Sequence, residues 1–123
     1  MRTHFRLHDG VRICHLDFTD VKNEEEALKV VAEAKQVIGA EPPNSVYTLT
    51  DVTGSRATPK IRAALHDLTT HNKQYVVFGA VVGLTPIQRV VLRGIIQLTG
   101  RRLVAAESIP AAVAALKREA TAR

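Results

Sequence analysis

The sequence predicts an α/β domain with a mostly parallel sheet of about five strands, an N-terminal antiparallel hairpin and about four flanking helices. Short β-branched segments alternate along the chain with segments whose apolar residues recur at helical spacing. A residue suited to capping precedes each helical segment. The 123 residues are enough for one domain and too few for two ordinary ones. We therefore expect a single domain over residues 1–123.

The N-terminal hairpin is predicted from two extended segments, residues 4–8 and 11–18, on either side of Asp9-Gly10. Asp-Gly between such segments favours a tight turn because both residues tolerate a positive φ. Both alternating sets of side chains in the second segment include apolar residues. We expect this strand to be covered on both faces.

Four helices are predicted to start after the N-caps Asn23, Thr58, Thr85 and Ser108. Glu26 and Gln88 stand three residues after two of these caps, which is the spacing of a capping box. Strands are expected between the helices, at residues 45–50, 75–82 and 102–106. In the third helix we expect the apolar residues to face the core, namely Ile87, Val90, Val91, Ile95 and Leu98.

The charge of the chain is uneven, and its basic part predicts a docking surface for an anionic partner. The net charge is +5, and no acidic residue occurs between Asp67 and Glu107. A basic face that only keeps the protein soluble is the alternative. With three Phe, two Tyr and no Trp, stacking platforms for bases are scarce, so we do not expect nucleic acid as a partner. The candidate docking residues are Arg89, Arg93, Arg101 and Arg102.

No catalytic, metal or cofactor site is predicted, and we expect a protein that is not an enzyme. Cys14 and His15 are neighbours on a strand, so their side chains point to opposite faces. Cys14 is expected to be a small core residue. His4 and His8 are expected to lie without suitable ligands nearby. The charged N-terminus and the absence of a long apolar stretch predict a cytoplasmic protein without a membrane span.

A loop after the third strand is the candidate contact site, because ligands of parallel sheets favour the carboxyl ends of the strands. Turn formation and helix capping are the alternative roles of such residues. A second loop of this kind, Gly83-Leu84-Thr85, precedes the third helix. The candidate partner-binding loop consists of Asp51, Val52, Thr53, Gly54, Ser55 and Arg56.

These two regions, residues 48–54 and 80–85, resemble the SpoIIAA-like family, which is grouped with STAS and SEC14-like domains. In anti-sigma-factor antagonists of that fold, the third strand leads into an Asp-Ser-Ser/Thr-Gly loop whose second hydroxyl residue is phosphorylated by a partner kinase. The resemblance places Asp51 at the aspartate, Thr53 at the phosphoacceptor and Gly54 at the glycine. Val52 stands where the family usually has a small hydroxyl residue.

The resemblance therefore implies a regulatory or protein-binding module with an unknown protein partner, switched by phosphorylation of Thr53. The alternative is SEC14-like binding of a small lipid or another small apolar or anionic ligand, without a cofactor. Its pocket would lie under the second and third helices, and a homodimer is left open. The residues that would line this pocket are Leu65, Leu68, Val91 and Ile95, but their spacing is that of ordinary core packing, which is the default interpretation.

Overall fold

The computed structural model describes residues 1–122 and contains the nine elements in the predicted order. The turn at Asp9-Gly10 has positive φ at both residues, 52° and 84°, and joins the first two strands. The elements are β1 (Thr3–His8), β2 (Val11–Asp17), α1 (Glu24–Gly39), β3 (Val46–Asp51), α2 (Pro59–Asn72), β4 (Val76–Val82), α3 (Pro86–Thr99), β5 (Leu103–Ala106) and α4 (Ile109–Thr121).

The sheet has five strands in the order β1-β2-β3-β4-β5, so neighbours in sequence are neighbours in space. β1 pairs with β2 antiparallel, and every other pair is parallel. The predicted fold class is confirmed. Within residues 1–122, no helix combines the length and the apolar character that crossing a membrane requires.

Helices cover both faces of the sheet, and each face has its own apolar cluster. α1 and α2 pack together on one face, where Phe18 and Ile38 are almost completely buried. α4 packs on the other face, where Ile13 and Leu116 are buried. β2 contributes to both clusters, as predicted. Cys14 is buried in the first cluster, and burial raises the pKa of its thiol to about 12.

The predicted N-caps are all present, since Asn23, Thr58, Thr85 and Ser108 each accept a backbone N–H from the first turn of their helix. The capping box of α3 is complete, with Thr85 N–H donating to Gln88 Oε1 at 2.9 Å. The box expected at α1 is not formed. Glu26 accepts from the Arg2 guanidinium at 3.1 Å instead, because a cationic donor competes with the helix backbone for the carboxylate.

Helix α3 is where the predicted core differs from the structure. It contains no buried residue, and Ile87, Val90 and Leu98 are 78%, 66% and 86% exposed. The helical spacing is correct, but the expectation that all five apolar residues face the core is wrong. Spacing identifies an apolar face without fixing its distance from the sheet.

Three histidines meet on the hairpin, a cluster that was not predicted from the sequence. His4 lies opposite His15 in the strand register, and their rings stack with centroids 5.5 Å apart. His8 Nε2 lies 3.0 Å from His15 Nε2. Desolvation, followed by the nearby charges of His8, His4 and Arg6, lowers the pKa of His15 from 6.5 to about 4. Among the described residues, no group of three or more His, Cys, Asp or Glu is placed to hold a metal ion.

We expect the stability of the fold to fall as the pH drops from about 6.5 towards 4 through His15. The folded state binds this proton less tightly than the unfolded chain, so protonation favours unfolding in that window. Urea unfolding at several pH values measures the free energy of unfolding. Between about pH 6.5 and 4, this free energy should fall less steeply with decreasing pH in His15→Gln than in the wild type. His66→Gln, at an exposed position of α2, is the control and should keep the wild-type slope. An unchanged slope in His15→Gln would contradict this assignment.

Candidate functional site

A cavity of about 180 Å³ lies between α2, α3 and the sheet. All four residues of the predicted pocket line it: Leu65, Leu68, Val91 and Ile95. The two leucines are three residues apart and the other two are four apart, so each pair lies on one face of its helix. These residues therefore border open space, whereas ordinary core packing was the default expectation from their spacing.

The sheet forms the floor of the cavity. Thr48, Thr50 and Val52 alternate along β3 and its end, so their side chains point to the same face. A Cβ at Gly79, on the neighbouring strand, would lie 2.6 Å from the Thr48 hydroxyl oxygen. A side chain there would press into this part of the floor.

The cationic lining residues are Arg56, Arg62 and Arg101, and no carboxylate residue contributes to the wall. Arg56 and Arg62 are exposed, as are Ala57 and Ile87 in the same wall. The cavity therefore opens near the N-terminal ends of α2 and α3. Arg101 is only 6% exposed and precedes β5, at the opposite end of the cavity.

The predicted contact loop forms a compact turn at the carboxyl end of β3. The Asp51 carboxylate accepts the Thr53 backbone N–H at 3.0 Å and the Thr53 hydroxyl at 2.6 Å. Thr53 O accepts from Asp20 N at 2.9 Å, and Arg56 N donates to Val21 O at 2.8 Å. These bonds hold the loop against the segment between β2 and α1.

The loop and the cavity share residues, which the sequence did not indicate. Val52 is 6% exposed and belongs to the core. Val52, Ser55 and Arg56 all line the cavity. An apolar side chain suits this position, because Val52 is packed among apolar residues. Thr53 and Gly54 are exposed on the outer side of the turn. Thr58, five residues after Thr53, caps α2, so Thr53 itself is not at the helix N-terminus.

The four arginines proposed as one docking surface are not brought together. Arg93 is exposed and Arg89 is half-buried on α3. Arg102 lies on the α4 side, where it pairs with Glu119 and covers the Phe78 ring. Arg101 faces the cavity and its Nη1 donates to Thr69 O at 2.7 Å. The reason is that consecutive residues leading into a strand point to opposite faces of the sheet.

The order of strands and the placement of helices define a SpoIIAA-like α/β fold, in agreement with the resemblance seen in the sequence. A similar structure is the crystal structure, at 2.25 Å resolution, of an uncharacterised protein of the DUF3478 family with a SpoIIAA-like fold from Shewanella loihica PV-4. The TM-score is 0.74 at 11% identity, over 93% of this chain and 91% of that one. At this identity the similarity establishes the fold alone. No protein-family model and no curated protein matches this sequence.

Glycines on either side of Thr85 give a matched pair of variants for this site. Gly83 has φ +91°, and a Cβ there would overlap the Thr53 hydroxyl and lie 2.6 Å from Thr53 N. We expect Gly83→Ala to destabilise the fold by about 2 kcal/mol, the scale of strained backbone positions. Gly94 is inside α3, and a Cβ added there would meet no atom within 4 Å apart from the nearby backbone of its own helix.

Gly94→Ala should therefore stabilise the fold by about 0.5–1 kcal/mol through the loss of unfolded-state entropy. Urea denaturation measures both free energies of unfolding. A tolerated Gly83→Ala would mean that the Thr53 turn and the start of α3 are not packed together as described.

Proposed function

We propose that this protein binds a small molecule whose apolar part occupies the cavity between α2 and α3. The cavity itself, about 180 Å³ with a mainly apolar wall, is the observation that carries the proposal. An apolar wall that remains in contact with water lowers the stability by roughly 25 cal/mol per Å² of apolar surface. The apolar atoms of a ligand would recover much of that free energy.

The size and the wall of the cavity favour a ring or a short alkyl chain. Engineered apolar cavities of roughly 150 Å³ bind benzene or xenon. Here the exposed lining residues Arg56 and Ile87 leave an opening through which a longer chain can extend. Cys14 is not suited to act as a nucleophile, because its thiol is buried and burial raises its pKa to about 12.

A tryptophan at Val91 should fill the cavity and weaken binding of octan-1-ol at least tenfold. Val91 lines the wall and is 39% exposed, so the larger side chain can be accommodated without repacking the core. Val90→Trp is the matched control, because Val90 is on the same helix, is 66% exposed and does not line the cavity. Its affinity should stay within twofold of the wild type.

Nuclear magnetic resonance titration of the amides of α2 and α3 gives the dissociation constants. Wild-type protein that shows no saturable shifts in these helices would disprove the proposal. Equal weakening by both tryptophan variants would mean that the alcohol binds elsewhere on α3.

The second candidate function is a regulatory, protein-binding role of the loop formed by residues 51–56. Its support is the exposed residue Thr53, which belongs to the same loop as Ser55 and Arg56 in the lining of the cavity. A phosphate on Thr53 would add about −1.5 to −2 charges next to the Asp51 carboxylate. Repulsion would open the turn that this carboxylate closes, and a partner protein could read that change.

We expect Thr53→Glu to change the set of proteins that co-purify from the native host. Thr53→Val should retain the wild-type set, because it keeps the size of the side chain and adds no charge. Affinity purification followed by mass spectrometry compares the three sets. Identical sets for the wild type, Thr53→Val and Thr53→Glu would rule out a switch at this residue.

A further inference from the structure

The inner end of the cavity contains a buried arginine with few partners. Arg101 is 6% exposed and lines the cavity, and its Nη1 donates to Thr69 O at 2.7 Å. Within residues 1–122, its guanidinium forms no ion pair with a carboxylate at 4 Å or less. Buried cations in proteins are normally paired, because removing a charge from water is costly.

A structural role explains only part of this arrangement. Thr69 is in the last turns of α2, and a cation that donates to a carbonyl near a helix C-terminus stabilises it. That bond uses one of the five N–H groups of the guanidinium. The rest of the planar donor set matches a carboxylate, which accepts two parallel hydrogen bonds from arginine.

Neutral polar groups accompany Arg101 at the same end of the cavity. Thr48 and Asn72 line the wall and are 3% and 5% exposed. Thr48 pairs with Gly79, which pairs with Leu103, two residues after Arg101. Asn72 is the last residue of α2, within one turn of Thr69. The inner end is thus polar and cationic, whereas the space between α2 and α3 is apolar.

We propose that Arg101 binds the carboxylate of an amphipathic ligand whose apolar body lies between α2 and α3. The proposal rests on the proposed function and specifies the ligand class as an apolar monocarboxylate. One guanidinium balances a single negative charge, and the wall contributes no acidic residue to oppose it. The opposite orientation would place the acid group at the mouth, beside Arg56 and Arg62.

Octanoate and octan-1-ol separate the contribution of the acid group from that of the apolar chain. We expect wild-type protein to bind octanoate at least tenfold more tightly than octan-1-ol in calorimetric titrations. Arg101→Gln should lose this preference and keep its affinity for octan-1-ol within twofold. The double variant Arg56→Gln/Arg62→Gln is the matched control and should keep the preference.

An Arg101→Gln protein that still prefers octanoate would overturn the proposal, as would a double variant that loses the preference. In both cases binding of octan-1-ol would leave the proposed function standing. Wild-type protein that binds neither compound would refute both. If Arg101→Gln does not fold, the Arg101 Nε–H resonance of the wild type provides the test. It should shift with octanoate and not with octan-1-ol, and the absence of a selective shift would overturn the proposal.

Discussion

Helix α3 is capped at both ends, and the shape of the site depends on how loosely the residues between the caps pack on the sheet. The capping box of Thr85 and Gln88 sets its first turn, and Gly100, with φ 68°, ends it by donating to Ile96 O. Between these points no residue of α3 is buried. The neighbouring crossover helix α2 is held down by buried Ile61, Leu68 and other residues. α2 has buried residues and α3 has none, although both connect neighbouring parallel strands on the same face of the sheet. This difference in packing leaves the space between α2 and α3 unfilled.

The loops at the carboxyl ends of the strands connect this space to the protein surface. Thr53 O binds Asp20 N, and a side chain at Gly83 would collide with Thr53. A side chain at Gly54 would likewise collide with the Asp20 carboxylate. Three loops are therefore packed against one another just before α3 begins. A conformational change in the Thr53 turn would therefore shift the N-terminus of α3, which bounds the cavity. The two candidate functions are physically compatible for this reason.

Local chemistry explains why so much of the fold could be predicted. Caps, a two-residue turn and helical spacing act over a few residues, so Asn23, Gly10 and Thr85 could be interpreted without knowing their neighbours in space. A pocket lined by Leu65 and Val91 could be suggested from the family resemblance, but their helical spacing indicates core packing equally well. Three features could not be predicted because they depend on distances between elements. They are the distance of α3 from the sheet, the inward side chain of Arg101 and the Glu26–Arg2 pair. The pairing of His4 with His15 could have been predicted from the sequence, because the Asp9-Gly10 turn fixes the register of the hairpin.

Val52 has two structural roles, and these restrict which side chains its position can accept. It occupies the second place of the loop motif and also forms part of the cavity wall. Replacing it with serine would approach the signalling sequence but would put a hydroxyl into an apolar surface. This single side chain therefore joins the surface loop to the hydrophobic core, so its polarity affects both at once.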